Sequence, residues 1–230
     1  MLSVVIPTLN AGRSLATCLS ALVPGSVAGL IKDVVIVDGG SDDETTMIAD
    51  ATGAEVVHSR KGRGHQLAQG ATAARADWLL FLHADTVLET GWEREVRDFM
   101  DQAAEQGDIK RAASFRFKLN TRGPKARLLE RLVAMRCAVL ALPFGDQGLL
   151  ISRRLYDEIG GYAELPLMED VDIIGRIGRR RLTVLRHVAL TSAERYARDG
   201  FVLRSLRNFA CLTLYYLRVP PRVLLRIYNA

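Results

Sequence analysis

Trp78 to Leu82 is a run of five apolar residues without alternation, and it stops abruptly at His83-Ala84-Asp85-Thr86. An unbroken apolar run bounded by polar residues predicts a strand buried on both faces, as in a parallel sheet. A parallel sheet is covered by helices on its two sides, so this one segment directs the chain toward an α/β architecture. Open α/β sheets bind ligands in the crevice outside the carboxyl ends of their strands. An acid delivered there, as Asp85 is, is well placed to hold a metal ion and, through it, a phosphate.

The surrounding sequence repeats the same rhythm. Residues 2–6 read as a strand stopped by Pro7, and 14–23 as a helix with Leu15, Leu19 and Leu22 on one face. Residues 33–37 form a second apolar strand ending at Asp38-Gly39-Gly40, and Ser41 or Asp42 can cap the helix that follows through Asp50. A short strand at 55–58, an Ala-rich helix at 64–76, the 78–82 strand and an amphipathic helix at 92–106 complete the first half. Beyond it the pattern changes. Ala113, Phe115, Phe117 and Leu119 alternate with polar residues, which predicts an antiparallel strand with one solvated side. A basic helix at 125–142, a strand at 148–151, a helix with an acidic start at 168–178, strands at 182–185 and 188–191, and a last helix at 201–218 broken by Pro220-Pro221 follow. A parallel N-terminal half and a mixed C-terminal half are expected.

At 230 residues the chain suits one substantial α/β domain, with no linker or repeat to divide it. The net charge of +5 favours phosphorylated ligands or an anionic membrane surface. Cys18, Cys137 and Cys211 show neither a CxxC pair nor zinc spacing and read as buried thiols in a reducing compartment. With neither a secretion signal nor an apolar run of about 18 residues, a cytoplasmic protein is expected.

Several motifs carry chemistry, each beside a plainer reading. Asp38 suits a ribose hydroxyl or a simple turn; without GxGxxG after the first strand, the cofactor is not expected to be NAD. Arg60, Lys61, Arg63 and His65 cluster with Gly62 and Gly64 ahead of a helix, which suits a phosphate or a solvated basic loop. Glu169, Asp170 and Asp172 open a helix, where the dipole alone favours acids. Adjacent helical positions face different ways, so of Glu169 and Asp170 one is expected to be catalytic and the other structural. Gly145-Asp146-Gln147-Gly148 shapes an acceptor pocket or is a plain turn. The C-terminal helix interleaves Arg204, Arg207 and Arg218 with Leu, Phe and Tyr, and either lies on a membrane or packs on the core.

Taken in order, these motifs resemble the family 2 glycosyltransferases of GT-A fold. The segments are Val4-Val5-Ile6-Pro7-Thr8-Leu9-Asn10, Val35-Ile36-Val37-Asp38-Gly39-Gly40-Ser41, Gly62-Arg63-Gly64, Leu82-His83-Ala84-Asp85 and Met168-Glu169-Asp170. The resemblance covers roughly residues 2–195. VDGGS, LLFLHADT, GDQG and PLMEDV are similar to a bacterial subgroup found beside radical-SAM and selenodomain proteins, some members being described for arsenosugar biosynthesis.

The resemblance implies a three-layer α/β/α domain with a mixed, mainly parallel sheet over residues 1–230. Residues 1–110 would bind the nucleotide sugar, 111–198 would bind the acceptor and hold the catalytic group, and 199–230 would form amphipathic helices. It implies a UDP- or GDP-linked sugar as donor, an acceptor hydroxyl, Mg²⁺ or Mn²⁺ as cofactor, and no nucleic acid. Thr8, Asn10, Asp38, Arg63, Ala84 and Asp85 would bind the nucleotide sugar, Asp85 would hold the metal, and Asp170 would be the base in an inverting displacement. His83, Asp146, Gln147 and Glu169 would support the site or meet the acceptor. Apart from the resemblance, the residues of 201–228 suit either a peripheral contact with the inner face of a membrane or packing on the core. His83 stands where the family usually has the first acid of DxD, and Ala11 where many members carry Glu. A nucleotidyltransferase and a non-catalytic sugar-nucleotide module are the alternatives.

Overall fold

The computed structural model describes residues 1–229, and in it strand and helix alternate from the start of the chain. The first half runs β1 (Leu2–Thr8), α1 (Gly12–Ser20), α2 (Val23–Val27), β2 (Ile31–Asp38), α3 (Thr45–Ala51), β3 (Glu55–His58), α4 (Arg63–Ala73), β4 (Trp78–Phe81), β5 (Thr86–Leu88) and α5 (Trp92–Glu105). The second half runs β6 (Ala112–Leu119), α6 (Pro124–Leu140), β7 (Leu149–Ser152), α7 (Arg153–Glu158), α8 (Glu169–Ile177), β8 (Leu182–Thr191), α9 (Glu194–Asp199), α10 (Phe201–Tyr216) and α11 (Pro221–Asn229).

Among the described residues the strands form one sheet in the order β3-β2-β1-β4-β7-β6-β8-β5. The first four are parallel; β7 then runs antiparallel to β4 and β6 antiparallel to β7. The unbroken apolar runs divide between two helical layers because successive strand residues point to opposite faces. Trp78, Leu80 and Leu82 join Leu2, Val4 and Ile6 against α1 and α5, whereas Leu79 and Phe81 join Val5, Val35 and Val37 under α4 and α8. Each such side chain contributes about 1.5–3 kcal/mol of burial. The three-layer α/β/α arrangement follows from that split.

One close approach sets the site's edge. A Cβ on Gly70 would lie 2.3 Å from Val5 Cγ1 and 2.8 Å from Val37 Cγ2. The bare glycine lets α4 settle on β1 and β2, which brings Arg63, at the start of α4, to the carboxyl edge of the sheet.

Several local expectations change. The 78–82 strand ends at Phe81, and β5 is an additional short strand that pairs with the end of β8. The expected two strands at 182–191 are one, long enough to pair with both β6 and β5. β6 is antiparallel to β7 over a short stretch only and parallel to β8 for most of its length, and its first four residues are buried. The helix expected after Ser41 or Asp42 starts at Thr45, because Ser41 is drawn to Asp38 and Asp43 accepts from the Thr45 N–H. Pro221 does not merely end a helix. It opens α11, where a first-turn proline has no N–H to lose.

Candidate active site

The ends of β1 and β2 meet in register at Thr8 and Asp38. Thr8 Oγ1 donates to Asp38 Oδ1 at 2.9 Å, and the N–H groups of Gly40 and Ser41 donate to Oδ2 at 3.0 and 2.8 Å. Burial acts to raise the Asp38 carboxyl, but these bonds and the Ser41 hydroxyl outweigh it and hold the group below its usual range. Asp38 is therefore a fixed anion. Asn10 has a left-handed backbone with φ of 52°, a conformation Asn tolerates. Its side-chain oxygen accepts from the Asp42 N–H at 3.0 Å, which ties the first two crossover loops together.

Beyond β4 lies a cavity of about 120 Å³ whose lining includes Arg63, His83, Asp85, Asp146, Glu169 and Asp170. Four loops separated in sequence thus converge here. Met168, with φ of 66°, turns the chain sharply into α8. The Asp170 carboxylate is held at both oxygens: Gly145 N–H donates to Oδ2 and Val171 N–H to Oδ1, each at 2.8 Å. A carboxylate oxygen has two lone pairs, so capacity remains on each. A Cβ on Gly145 would sit 2.7 Å from His83 Nε2 and 3.5 Å from Asp170 Oδ2, so this glycine lies between the two side chains.

Glu169 and Asp170 both line the cavity and take different partners. Glu169 is 3% exposed and pairs with Arg63 at 3.5 Å. Burial pushes its carboxyl upward, Arg63 opposes this and Asp170 adds to it. Asp146 is half-buried, and its Oδ1 is a buried atom without a hydrogen-bond partner. Burial pushes the Asp146 carboxyl up to about 6, with the charges of Asp170 and Asp85 adding to it and Arg136 opposing it.

Other expected residues stand apart from the cavity. Gln147 is 1% exposed; its amide donates to Phe115 O at 2.9 Å and its carbonyl accepts from Arg136 at 3.2 Å, so it shapes the loop from within. Ala84 is buried in the core beside Leu82. Thr8, Asn10 and Asp38 mark the neighbouring strand ends and do not line the cavity. All three cysteines are free and buried. Sequence reasoning missed Phe144, Thr191, Tyr196, Asn208 and Tyr228 in the cavity wall. Asn208 and Tyr228 lie on the last two helices, whose mixture of polar and apolar residues was the only sequence signal for them.

The sequence profile described as "Glycosyl transferase family 2" matches residues 3–158. The chain belongs to that family. Glucosyl-3-phosphoglycerate synthase of Mycobacterium tuberculosis is 30% identical to this glycosyl transferase over 95 residues, covering 37% of this chain and 29% of the relative. The PGL/p-HBAD biosynthesis glycosyltransferase of Mycobacterium bovis is 35% identical over 95 residues, covering 38% and 36%. The sequence matches thus span about a third of the length of these relatives. Among solved structures, glucosyl-3-phosphoglycerate synthase from M. tuberculosis in complex with Mn²⁺, UDP and glucosyl-3-phosphoglycerate aligns with a TM-score of 0.55 and 24% identity, covering 83% of this chain and 71% of that one. A complex of the same synthase with Mn²⁺, UDP-glucose and glycerol 3-phosphate gives 0.56 and 23%, covering 83% and 72%. The fold shared with them is GT-A.

Proposed function

We propose that this family 2 member transfers a sugar from a UDP- or GDP-linked donor to an acceptor hydroxyl, with inversion in a single displacement. One observation carries the reading. Asp85 and Asp170 open on the same cavity with Arg63 between the donor loops and α8. The names of the solved relatives, which hold UDP or UDP-glucose, support such a donor here.

The donor set fits a divalent metal that relies on its substrate. Among the described residues no three His, Cys, Asp or Glu side chains gather to hold an ion by themselves. Mg²⁺ is commonly bound through one or two carboxylates together with substrate phosphates, and keeps several waters. Asp85 would be that carboxylate, with His83 beside it; the unpartnered Oδ1 of Asp146 is further donor capacity in the same wall. Mg²⁺ or Mn²⁺, when bound there, would neutralise charge developing on the diphosphate.

The chain's own residues do the rest. Asp38, Thr8 and Asn10 hold base and ribose, with the Ala84 backbone beside them. Arg63, steadied by Glu169, faces the phosphates. Asp170 accepts the acceptor's proton as its oxygen forms a bond to the anomeric carbon and the bond to the diphosphate breaks. Gly145 fixes Asp170 during that step. In this reading residues 1–230 act as one domain, in which 1–110 serve the donor, 111–198 the acceptor, and 199–230 cover the cavity. The strings VDGGS, LLFLHADT, GDQG and PLMEDV support a reading within the radical-SAM-associated bacterial subgroup.

A peripheral membrane contact on the cytoplasmic side belongs to the same proposal. Val202, Leu206, Phe209, Tyr216 and Leu217 are exposed on the last helices, and residues 200–230 hold no Asp or Glu. No helix among the described residues is long and apolar enough to cross a membrane. Flotation with anionic and neutral vesicles tests the contact; equal recovery with both removes it.

Incubation with nucleoside-diphosphate sugars, Mn²⁺ and an acceptor panel tests the activity. Release of nucleoside diphosphate with an inverted product anomer, read by NMR, is expected. A retained anomer removes the single displacement. Binding without turnover points to a non-catalytic module, and pyrophosphate release from a triphosphate points to nucleotidyl transfer.

A further inference from the structure

A second, wider cavity of about 700 Å³ adjoins the first, and the two share Arg63, Leu167, Glu169, Arg204 and Tyr228 in their walls. Five cations line the wider one, Lys61, Arg63, Arg198, Arg204 and Arg207, against the two carboxylates of Glu169 and Asp199. We propose that this basic cavity binds an anionic group on the acceptor, so that the sugar goes to a hydroxyl compound bearing a phosphate or carboxylate. The proposal rests on the glycosyl-transfer reading and names its acceptor class.

Arg204 is the anchor. It is only 5% exposed, although it carries a full charge. A buried charge is tolerated only when paired and hydrogen-bonded. Arg204 pairs with Asp199 at 3.2 Å, bonds the Tyr228 hydroxyl, and lies 4.2 Å over the Tyr228 ring. Asp199 is shared, since Arg198 also pairs with it at 2.8 Å. Glu169 is committed to Arg63. Arg207 reaches only the Tyr228 carbonyl, at 3.5 Å, and among the described residues neither Arg207 nor Lys61 forms an ion pair. The cavity therefore holds positive charge beyond its own carboxylates. Guanidinium forks suit phosphate and carboxylate oxygens, which they bind in pairs.

The donor diphosphate is assigned to the smaller cavity, where Arg63 in the shared wall faces it, and the acceptor's anion is left to Lys61, Arg198, Arg204 and Arg207. Asp85 lines the smaller cavity and not the basic one, and Asp38 lines neither. Asp170 lines the smaller cavity and not the basic one, with Arg63 and Arg204 in the wall that the two share. An acceptor anchored by its anion has its hydroxyl directed through that wall toward the base. Arg198, Arg204 and Arg207 lie on α9 and α10, outside the residues that match the family profile.

The test compares glycerol, glycerol 3-phosphate and glycerate as acceptors, with phosphatidylglycerol and phosphatidylcholine vesicles as lipid arms. The charged acceptors are expected to outperform glycerol by at least about tenfold in kcat/KM. Losing one charge-assisted contact in Arg207→Ala or Lys61→Ala is expected to raise the KM of a charged acceptor by about tenfold, with the glycerol KM little changed. Added salt should weaken the charged acceptors selectively. Glycosylated phosphatidylglycerol without turnover of the soluble anions assigns the anion to a headgroup and supports the same chemistry. Calorimetry with glycerol 3-phosphate alone reads the site independently of turnover, and wild-type binding lost in Arg207→Ala supports it. Equal use of charged and neutral acceptors overturns the inference and leaves glycosyl transfer standing. A matching loss of donor affinity in Arg207→Ala assigns the cations to the donor and also overturns it. Absence of all nucleotide-sugar binding and turnover defeats the underlying reading itself.

Discussion

Replacing Asp146 by Asn should stabilise the protein at neutral pH and do nothing in mild acid. The Asp146 carboxyl rises from 3.8 to about 6 because folding buries it, with one oxygen left unpartnered. Below about pH 4 it is protonated in folded and unfolded chains alike, and it makes no difference. Between about pH 4 and 6 the unfolded chain releases the proton while the folded chain keeps it, so stability falls as pH rises. Above about pH 6 both states are ionised and the full penalty remains. A shift of about two units corresponds to about 3 kcal/mol at 1.36 kcal/mol per unit. Partial exposure and screening reduce this to about 1–3 kcal/mol. Asn has nearly the same shape and never ionises, so it escapes the penalty. Urea unfolding of both proteins in EDTA, at several pH values from about 4 to 8, reads the difference directly. The Asn variant should match wild type at the acid end and exceed it by that amount at the neutral end. Parallel profiles, or a wild type that gains on the variant as pH rises, would refute the burial argument and show that Arg136 compensates the charge.

Four further outcomes follow from the geometry. Asp170→Asn should cut kcat by about 10²–10⁴-fold with donor affinity retained, measured at saturating donor; an equal loss of donor affinity makes Asp170 a binding residue. Asp85→Ala should lower UDP affinity in Mn²⁺ by about tenfold or more, since it removes a charged ligand contact worth about 1.5–3 kcal/mol, with affinity in EDTA unchanged. Calorimetry that shows no metal effect in either protein rejects the metal assignment. Gly70→Ala places a methyl 2.3 Å from Val5 Cγ1. Overpacking of about 1–3 kcal/mol should exceed the helix-propensity gain of about 1 kcal/mol, and a urea midpoint at or above wild type argues against the tight contact. Gly145→Ala should depress kcat more than stability, because its methyl would press on His83 Nε2 at 2.7 Å; unchanged kcat shows that the loop yields freely.

The layers were legible because period-two burial leaves a mark in composition. The unbroken run Trp78–Leu82 has no polar face, so both sides of its strand had to be covered, and both are. The acids at strand ends were legible for the same reason: an apolar strand that stops at Asp38, or just before Asp85, delivers a carboxylate to the sheet's edge. That Glu169 and Asp170 take different partners, Arg63 for one and the Gly145 N–H for the other, agrees with the different directions of adjacent helical positions. Bonds between distant segments left no such mark. That Asp170 is held by Gly145, and that Gln147 turns inward to Phe115 and Arg136, depend on where two loops meet.

The C-terminal helices separate the two kinds of information most clearly. Residues 201–218 showed arginines among apolar residues, a pattern equally suited to a membrane surface and to a core. Which arginine is buried depends on what stands opposite it. Arg204 turns inward because α11 folds back and presents Tyr228, while Asp199 supplies the counter-charge. The sequence by itself determined the parallel first half of the sheet, the strand-end acids and the helical faces, since these follow from local periodicity and chain direction. Tertiary structure decided the cavity walls, the paired charges and the basic chamber beside Asp170. Most of those contacts join distant segments, such as Arg63 with Glu169 and Gly145 with Asp170, and their energies exist only once the chain has closed on itself.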